Sequence, residues 1–304
     1  MKSPLYFTLQ IDCESMQASV NDPDLGRRAS AGFAQCLESH GLPGTFYVIP
    51  PDIEAHADLY RDLKQRGHEV GVHVHPATQG YEEFLGIYGP DEQYRILAEA
   101  TDRFAQVMGY RPTSICIGYV STNDHTYGVL ESLGYRQGSN SMPGRILPQC
   151  VSIHAGAPLD PHYAHRHNRV LEGDMDFVET PVTVDPDSRM WGGAHPQDLR
   201  VELVDAKNHY YTILKSIRRQ LADHTPIKSI RATTHNTFDY SDPNNFRFQT
   251  LEGIIAHVQR LAQEHQLELK PVTVVDLATA YRNAVPPGSK QKNLELDRKG
   301  YERK

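Results

Sequence analysis

Short apolar runs and stretches of helical periodicity take turns along almost all of this 304-residue chain, and that alternation limits its fold more than any other feature. Residues 5–11 read as a buried strand, after which Ala29, Phe33, Cys36 and Leu37 recur at helical spacing until Gly41 stops them. Residues 45–49 read as the next strand, a helix carrying Leu59 and Leu63 ends near Gly67, and residues 69–75 alternate as a strand again. Leu97, Ala100, Phe104 and Val107 make one stripe of a helix over 91–108, followed by a strand over 114–117 and a helix over 123–133. Further strands are predicted near 177–182, 229–234 and 272–275, with helices near 199–221 and 246–265. The pattern predicts parallel strands covered by helices, and one α/β barrel accommodates a chain of this length.

Two stretches break the rhythm. Residues 139–175 are rich in Pro, Gly and His and read as an insertion at the rim of the barrel, while residues 285–304 read as a charged tail beyond a single domain of residues 1–284. With 39% apolar residues the chain can fill one large core. A net charge of -7 argues against a nucleic-acid footprint, which needs clustered positive charge. No apolar run reaches the length of a membrane span, and the first apolar stretch is too short for a secretion signal, so a cytoplasmic location is expected. Cys13, Cys36, Cys116 and Cys150 are scattered without a C-x-x-C pair and read as free thiols. A homo-oligomer is left open.

Chemistry in such folds gathers at the C-terminal ends of the strands. The first strand ends Ile11-Asp12-Cys13-Glu14, and the period of two sends both carboxylates to one side. The third ends Val72-His73-Val74-His75, with both imidazoles on one side by the same rule. Two neutral histidines and a carboxylate, with a position left over, make a recurrent zinc site, and the same donors hold other divalent metals. A later strand ends Thr233-Thr234-His235. Each fragment alone has a structural alternative, a capped turn or a satisfied histidine. Together they lie at ends that a parallel sheet would bring side by side.

The order Asp12-x-Glu14, then Gly67-His68-Glu69-Val70-Gly71-Val72-His73-x-His75-Pro76, then Arg111-Pro112, Ile117-Gly118-Tyr119 and Leu130-x-x-Leu133-Gly134-Tyr135, and finally His235 resembles the motifs of the polysaccharide deacetylase family (carbohydrate esterase family 4, NodB-like). The likeness runs from about Leu5 to Leu277 and marks a divergent member. It implies an α/β fold, a distorted (β/α)7-type barrel, and one divalent ion, zinc first, with cobalt, nickel or manganese as alternatives. It implies Asp12 as general base, Glu14 and His73 as metal ligands, and His235 as general acid. The usual second ligand histidine, four residues after the first, is Ala77 here, so either His75 takes that place or the coordination is altered. The arginine that pairs with the base is replaced by Cys116. Glu179 is the candidate for orienting His235, and the region of Tyr119 for holding the oxyanion. Trp191 and the stretch His162-Tyr163-x-His165-x-His167 are candidates for contacting a sugar. The expected activity is removal of an acetyl or other acyl group from an N-acylated sugar. The alternatives are a same-fold amidohydrolase acting on a small amide or ureide, or a binding protein that has lost the chemistry.

Overall fold

The computed structural model of the protein describes residues 2–288. In its first half the chain runs β1 (Pro4–Cys13), α1 (Pro23–Ser39), β2 (Thr45–Val48), α2 (Pro50–Ala55), α3 (Ala57–Gln65), β3 (Glu69–Val74), α4 (Pro90–Met108), β4 (Ser114–Ile117) and α5 (Thr126–Ser132). Short strands follow: β5 (Gln137–Gly138), β6 (Ile146–Leu147), β7 (Ser152–Ile153), β8 (His162–Tyr163) and β9 (Val178–Glu179). The last part holds β10 (Val184–Met190), β11 (His195–Asp198), α6 (Ala206–Ala222), β12 (Lys228–His235), α7 (Phe246–Glu264), β13 (Glu268–Pro271) and α8 (Val274–Ala284).

The main sheet has the order β12-β1-β2-β3-β4-β5-β9-β8, with β13 added to the start of β1. Every pair in it is parallel except β8 with β9. The sheet curls into the distorted α/β barrel expected from the alternation. Its open side, between β12 and β9, is bridged by the irregular segment after β9: Thr183 N donates to Arg231 O at 3.2 Å, and Val201 N to Thr233 O at 3.0 Å. β1 is buried along nearly its whole length, as a strand covered on both faces should be. Phe33 of α1 meets Phe46 and Tyr240 edge to face at 5.7 and 5.8 Å, which fixes that helix on the sheet. Burying side chains of this size stabilises by about 1.5–3 kcal/mol each.

Local chemistry moved some boundaries. The apolar run near 272–275 is not a strand. Thr273 and Asp276 form a reciprocal capping box there and start α8, while the preceding strand, β13, is half exposed and hidden by its polar residues. The helix predicted from 199 begins at Ala206, where the Asp205 side chain accepts from Asn208 N. Residues 199–205 are turns instead, and they matter below. Val285, read as the start of the tail, is buried with Tyr163 and Tyr281, and its carbonyl accepts from the Tyr163 hydroxyl at 2.7 Å. The tail from residue 289 onward lies outside the described residues. No described helix is long and apolar enough to cross a membrane.

Candidate active site

The register of the barrel assembles the site. In β1, Asp12 lies beside His235 of β12, and in β3, His73 lies beside Cys116 of β4. Glu14, just past β1, is fixed by its backbone N–H donating to Asn236 Oδ1 at 2.7 Å. Its Oε2 lies 3.2 Å from His73 Nε2 and 2.7 Å from His75 Nε2, and the two Nε2 atoms are 3.1 Å apart. All three side chains are buried.

The opposite ring nitrogens are already engaged. His73 Nδ1–H donates to Cys116 O at 2.9 Å, and His75 Nδ1–H donates to Glu83. These bonds turn Nε2 of each ring toward the carboxylate, as carboxylate- or carbonyl-anchored ligand histidines do. Three lone-pair atoms packed this closely repel one another unless a proton or a cation lies among them. The electrostatics agree. Burial opposes a charge on His75, yet Glu14 and Glu83 outweigh it and raise the imidazole to about 10. Burial likewise opposes ionisation of Glu14, but the His75, His235 and His73 side chains hold its carboxyl well below the usual range. The donor set therefore fits a divalent ion held by Glu14, His73 and His75, with open positions left for other oxygens. A second grouping, Asp12, His73 and Cys116, fits less well. Burial keeps the Cys116 thiol protonated, and it donates to Ser139 O at 3.2 Å.

Gly118 enforces the closeness of this cluster. A Cβ added there would come within 2.6 Å of His75 Cε1 and Nε2. Gly118→Ala is expected to displace that ring and weaken metal affinity by about 10- to 100-fold, the usual cost of disturbing a ligand's support, with the melting temperature little changed. Calorimetric zinc titration beside a thermal melt checks it; unchanged affinity would detach His75 from the ion.

Asp12 is buried, with Oδ1 accepting from Gln10 Nε2 at 2.5 Å and Oδ2 3.8 Å from the Cys116 sulfur. Gln10 in turn accepts through Oε1 from the fully buried Arg231 of β12. A guanidinium thus reaches the carboxylate's neighbourhood from the opposite strand, through Gln10, where Cys116 stands in the expected arginine's place. Neither residue was singled out from the sequence. The signal was there: Gln10 is two before Asp12, and Arg231 is four before His235, so each shares its strand's inward face.

His235 Nδ1–H donates to Glu202 Oε1 at 2.7 Å, and burial is overcome by Glu202 and Glu14, which lift the ring to about 9. The partner expected for it, Glu179, is held elsewhere: it accepts from Asn140 N at 2.7 Å and from the Tyr127 hydroxyl at 3.1 Å, and burial raises it to about 7. Glu179 on β9 is thus fixed by Asn140 and Tyr127, and the His235 nitrogen is taken by Glu202 instead. Glu202, in the turn before α6, had looked like part of a helix.

Asp12, Glu14, His73, His75 and His235 line one cavity of about 160 Å³. Tyr119 lies at its rim, half exposed, with a left-handed backbone (φ 57) and its ring edge-on to His75 at 5.5 Å. Trp191 is exposed and sits one layer out. It packs on His195 at 4.2 Å and under the guanidinium of Arg200, which does line the cavity. The histidine-rich stretch does not reach the site: His162 is buried in β8, and His167 faces a separate surface depression with Tyr94 and His125.

Among known sequence families, residues 21–138 match the one described as polysaccharide deacetylase. No curated protein matches the chain. A solved structure described as a polysaccharide deacetylase from Mycobacterium smegmatis superposes with a TM-score of 0.62 at 17% identity, over 93% of this chain and 92% of that one. A Puue allantoinase superposes with a TM-score of 0.62 at 13% identity, over 93% and 91%. A protein described as a polysaccharide deacetylase from Pseudomonas aeruginosa PAO1 gives 0.61 at 13%, over 93% and 92%. At such identities the likeness establishes the barrel, and the family match bears out the resemblance read from the motifs.

Proposed function

We propose that this chain, a divergent relative of the polysaccharide deacetylases, is a metal-dependent hydrolase that removes an acyl group from an amide nitrogen. The observation that carries the reading is the convergence of Glu14 Oε2, His73 Nε2 and His75 Nε2, with both outer nitrogens anchored, beside Asp12 and His235 in one cavity.

When bound by Glu14, His73 and His75, a divalent ion, zinc or else cobalt, nickel or manganese, polarises an acyl carbonyl and makes water more acidic. Asp12 takes the proton of the attacking water at Oδ2, while Gln10 keeps Oδ1 occupied and the carboxyl oriented. His235 presents Nε2 to the departing nitrogen and supplies the proton without which an amine is a poor leaving group. Glu202 holds the other ring nitrogen, so the proton to be given sits on the side that faces the cavity. Tyr119, at the rim, borders the acyl end of the substrate.

His235 must be a cation to act, and a cation exists only below its own pKa. Raised to about 9 by Glu202 and Glu14 against burial, the ring stays charged through neutral pH, and activity is expected to fall as pH climbs through that value. Glu202→Gln removes the main source of the rise. The alkaline limb of kcat should then move toward the ordinary histidine value of roughly 6.5. A limb that stays in place would remove His235 from the acid role.

Product analysis with the metal-loaded protein tests the reaction itself. Acetate from N-acetylated amino sugars supports the deacetylase reading, and ammonia or formate from small amides or ureides supports the amidohydrolase form. Tight metal binding without cleavage of any acylated amine would replace both with a binding protein.

A further inference from the structure

The cavity holds a wall that hydrolysis of a neutral amide does not require. Facing it, besides the residues already assigned, are Arg145, from the insertion between β5 and β6, and Arg200, from the turn after β11. Arg200 is bound twice by the buried Asp198, Nε to Oδ1 at 2.8 Å and Nη2 to Oδ2 at 3.0 Å, so its charge is balanced. Arg231 donates through Nη2 to Gln10, which holds Asp12, while its Nε and Nη1 are buried without a partner behind that pair. Arg145 has no such counterpart. It is 5% exposed, its Nη1 donates only to the carbonyl of Tyr119 at 3.1 Å, its Nε is buried without a partner, and among the described residues no carboxylate lies within 4 Å of it. Burial and Arg200 outweigh the charge of Asp198, which is spent on Arg200, and lower its pKa to about 10, which leaves it a cation at neutral pH. A buried guanidinium without an anion is costly, so one expects the anion to arrive with a ligand. Of the carboxylates across the cavity, Glu14 is engaged with His73 and His75 and Asp12 with Gln10.

We infer that Arg145, backed by Arg200, is an anion subsite of the cavity, and that the acylated amine taken here carries a carboxylate or a phosphate close to its amide. The inference rests on the hydrolase reading for the amide and on Arg145 for the anion. A cavity of about 160 Å³ suits one such small unit better than several sugars of a chain. The segment 139–175 gains a role by it, since it brings Arg145 to the pocket.

The zinc-loaded full chain would be titrated calorimetrically with lactate, glycerol 3-phosphate and glycerol, none of which has an amide to cleave. At least one anion should bind where glycerol does not, and comparing the two separates a carboxylate site from a phosphate site. Arg145→Gln should weaken that binding about 10- to 100-fold, the value of a charge-assisted hydrogen bond, and Arg145→Lys should restore part of it. Anion binding equal in wild type and Arg145→Gln would place the anion on zinc and overturn the proposal, as would no preference for either anion over glycerol. Turnover is read separately. On the wild type, kcat/KM for N-acetylmuramate or N-acetylglucosamine 1-phosphate should exceed that for N-acetylglucosamine, and equal values would overturn the substrate claim without any variant having to fold. If the anions bind at Arg145 and no acylated amine is cleaved, the hydrolase reading fails and the subsite stands.

Discussion

His73→Ala is expected to lose its divalent ion and, with it, nearly all turnover. His73 gives one of three donor atoms, within 3.2 Å of both Glu14 Oε2 and His75 Nε2, and a truncated side chain leaves only two ligands from the protein. Disturbing a ligand's support alone costs about 10- to 100-fold in affinity, so removing the ligand should cost more than about 100-fold. His73 also donates to Cys116 O, a bond between the neighbouring strands β3 and β4, so a thermal melt must accompany elemental analysis. Retained metal and retained activity in a folded His73→Ala protein would dismiss the ligand set.

Asp12→Asn is expected to behave in the opposite way toward the metal. The carboxylate is not one of the three clustered donors, and its Oδ1 is already committed to Gln10, so the ion should stay bound. The rate should fall about 10²- to 10⁴-fold, the usual contribution of a positioned general base, or about 2.7–5.5 kcal/mol of barrier. The asparagine can keep a hydrogen bond with Gln10 but accepts no proton from water. If Asp12→Asn loses the metal, Asp12 belongs with the ligands and the alternative grouping with His73 and Cys116 gains weight.

The parts of this account that could be read from the sequence are those governed by short-range periodicity. Alternation in β1 and β3 put Asp12 with Glu14 and His73 with His75, and parallel pairing brought β12 and its His235 beside β1. What escaped the reading depends on turns and on contacts across the barrel. Glu202 lies in a turn whose neighbours Leu199 and Leu203, four apart, imitate a helix, and only the Asp205 cap marks where α6 begins. Glu83 lies in an irregular stretch after β3, where no period says which way a side chain points. Glu179 was chosen because it ends a strand, but its carboxylate is spent on Asn140 and Tyr127, contacts across the barrel that the local pattern does not contain. Gln10 and Arg231 satisfied the alternation rule and were overlooked because a glutamine and an arginine within apolar strands look like exceptions to a core pattern. Arg145 belongs to the insertion, where composition announces a loop and nothing more.

The central claim is that one divalent ion is held by Glu14, His73 and His75, and anomalous diffraction at the zinc edge from crystals grown with zinc addresses it most directly. The account predicts a strong peak among those three side chains. A site free of signal, or zinc seated instead on Asp12, His73 and Cys116 or on a third group among the described residues, Cys36 with His40 and Glu252, would contradict it.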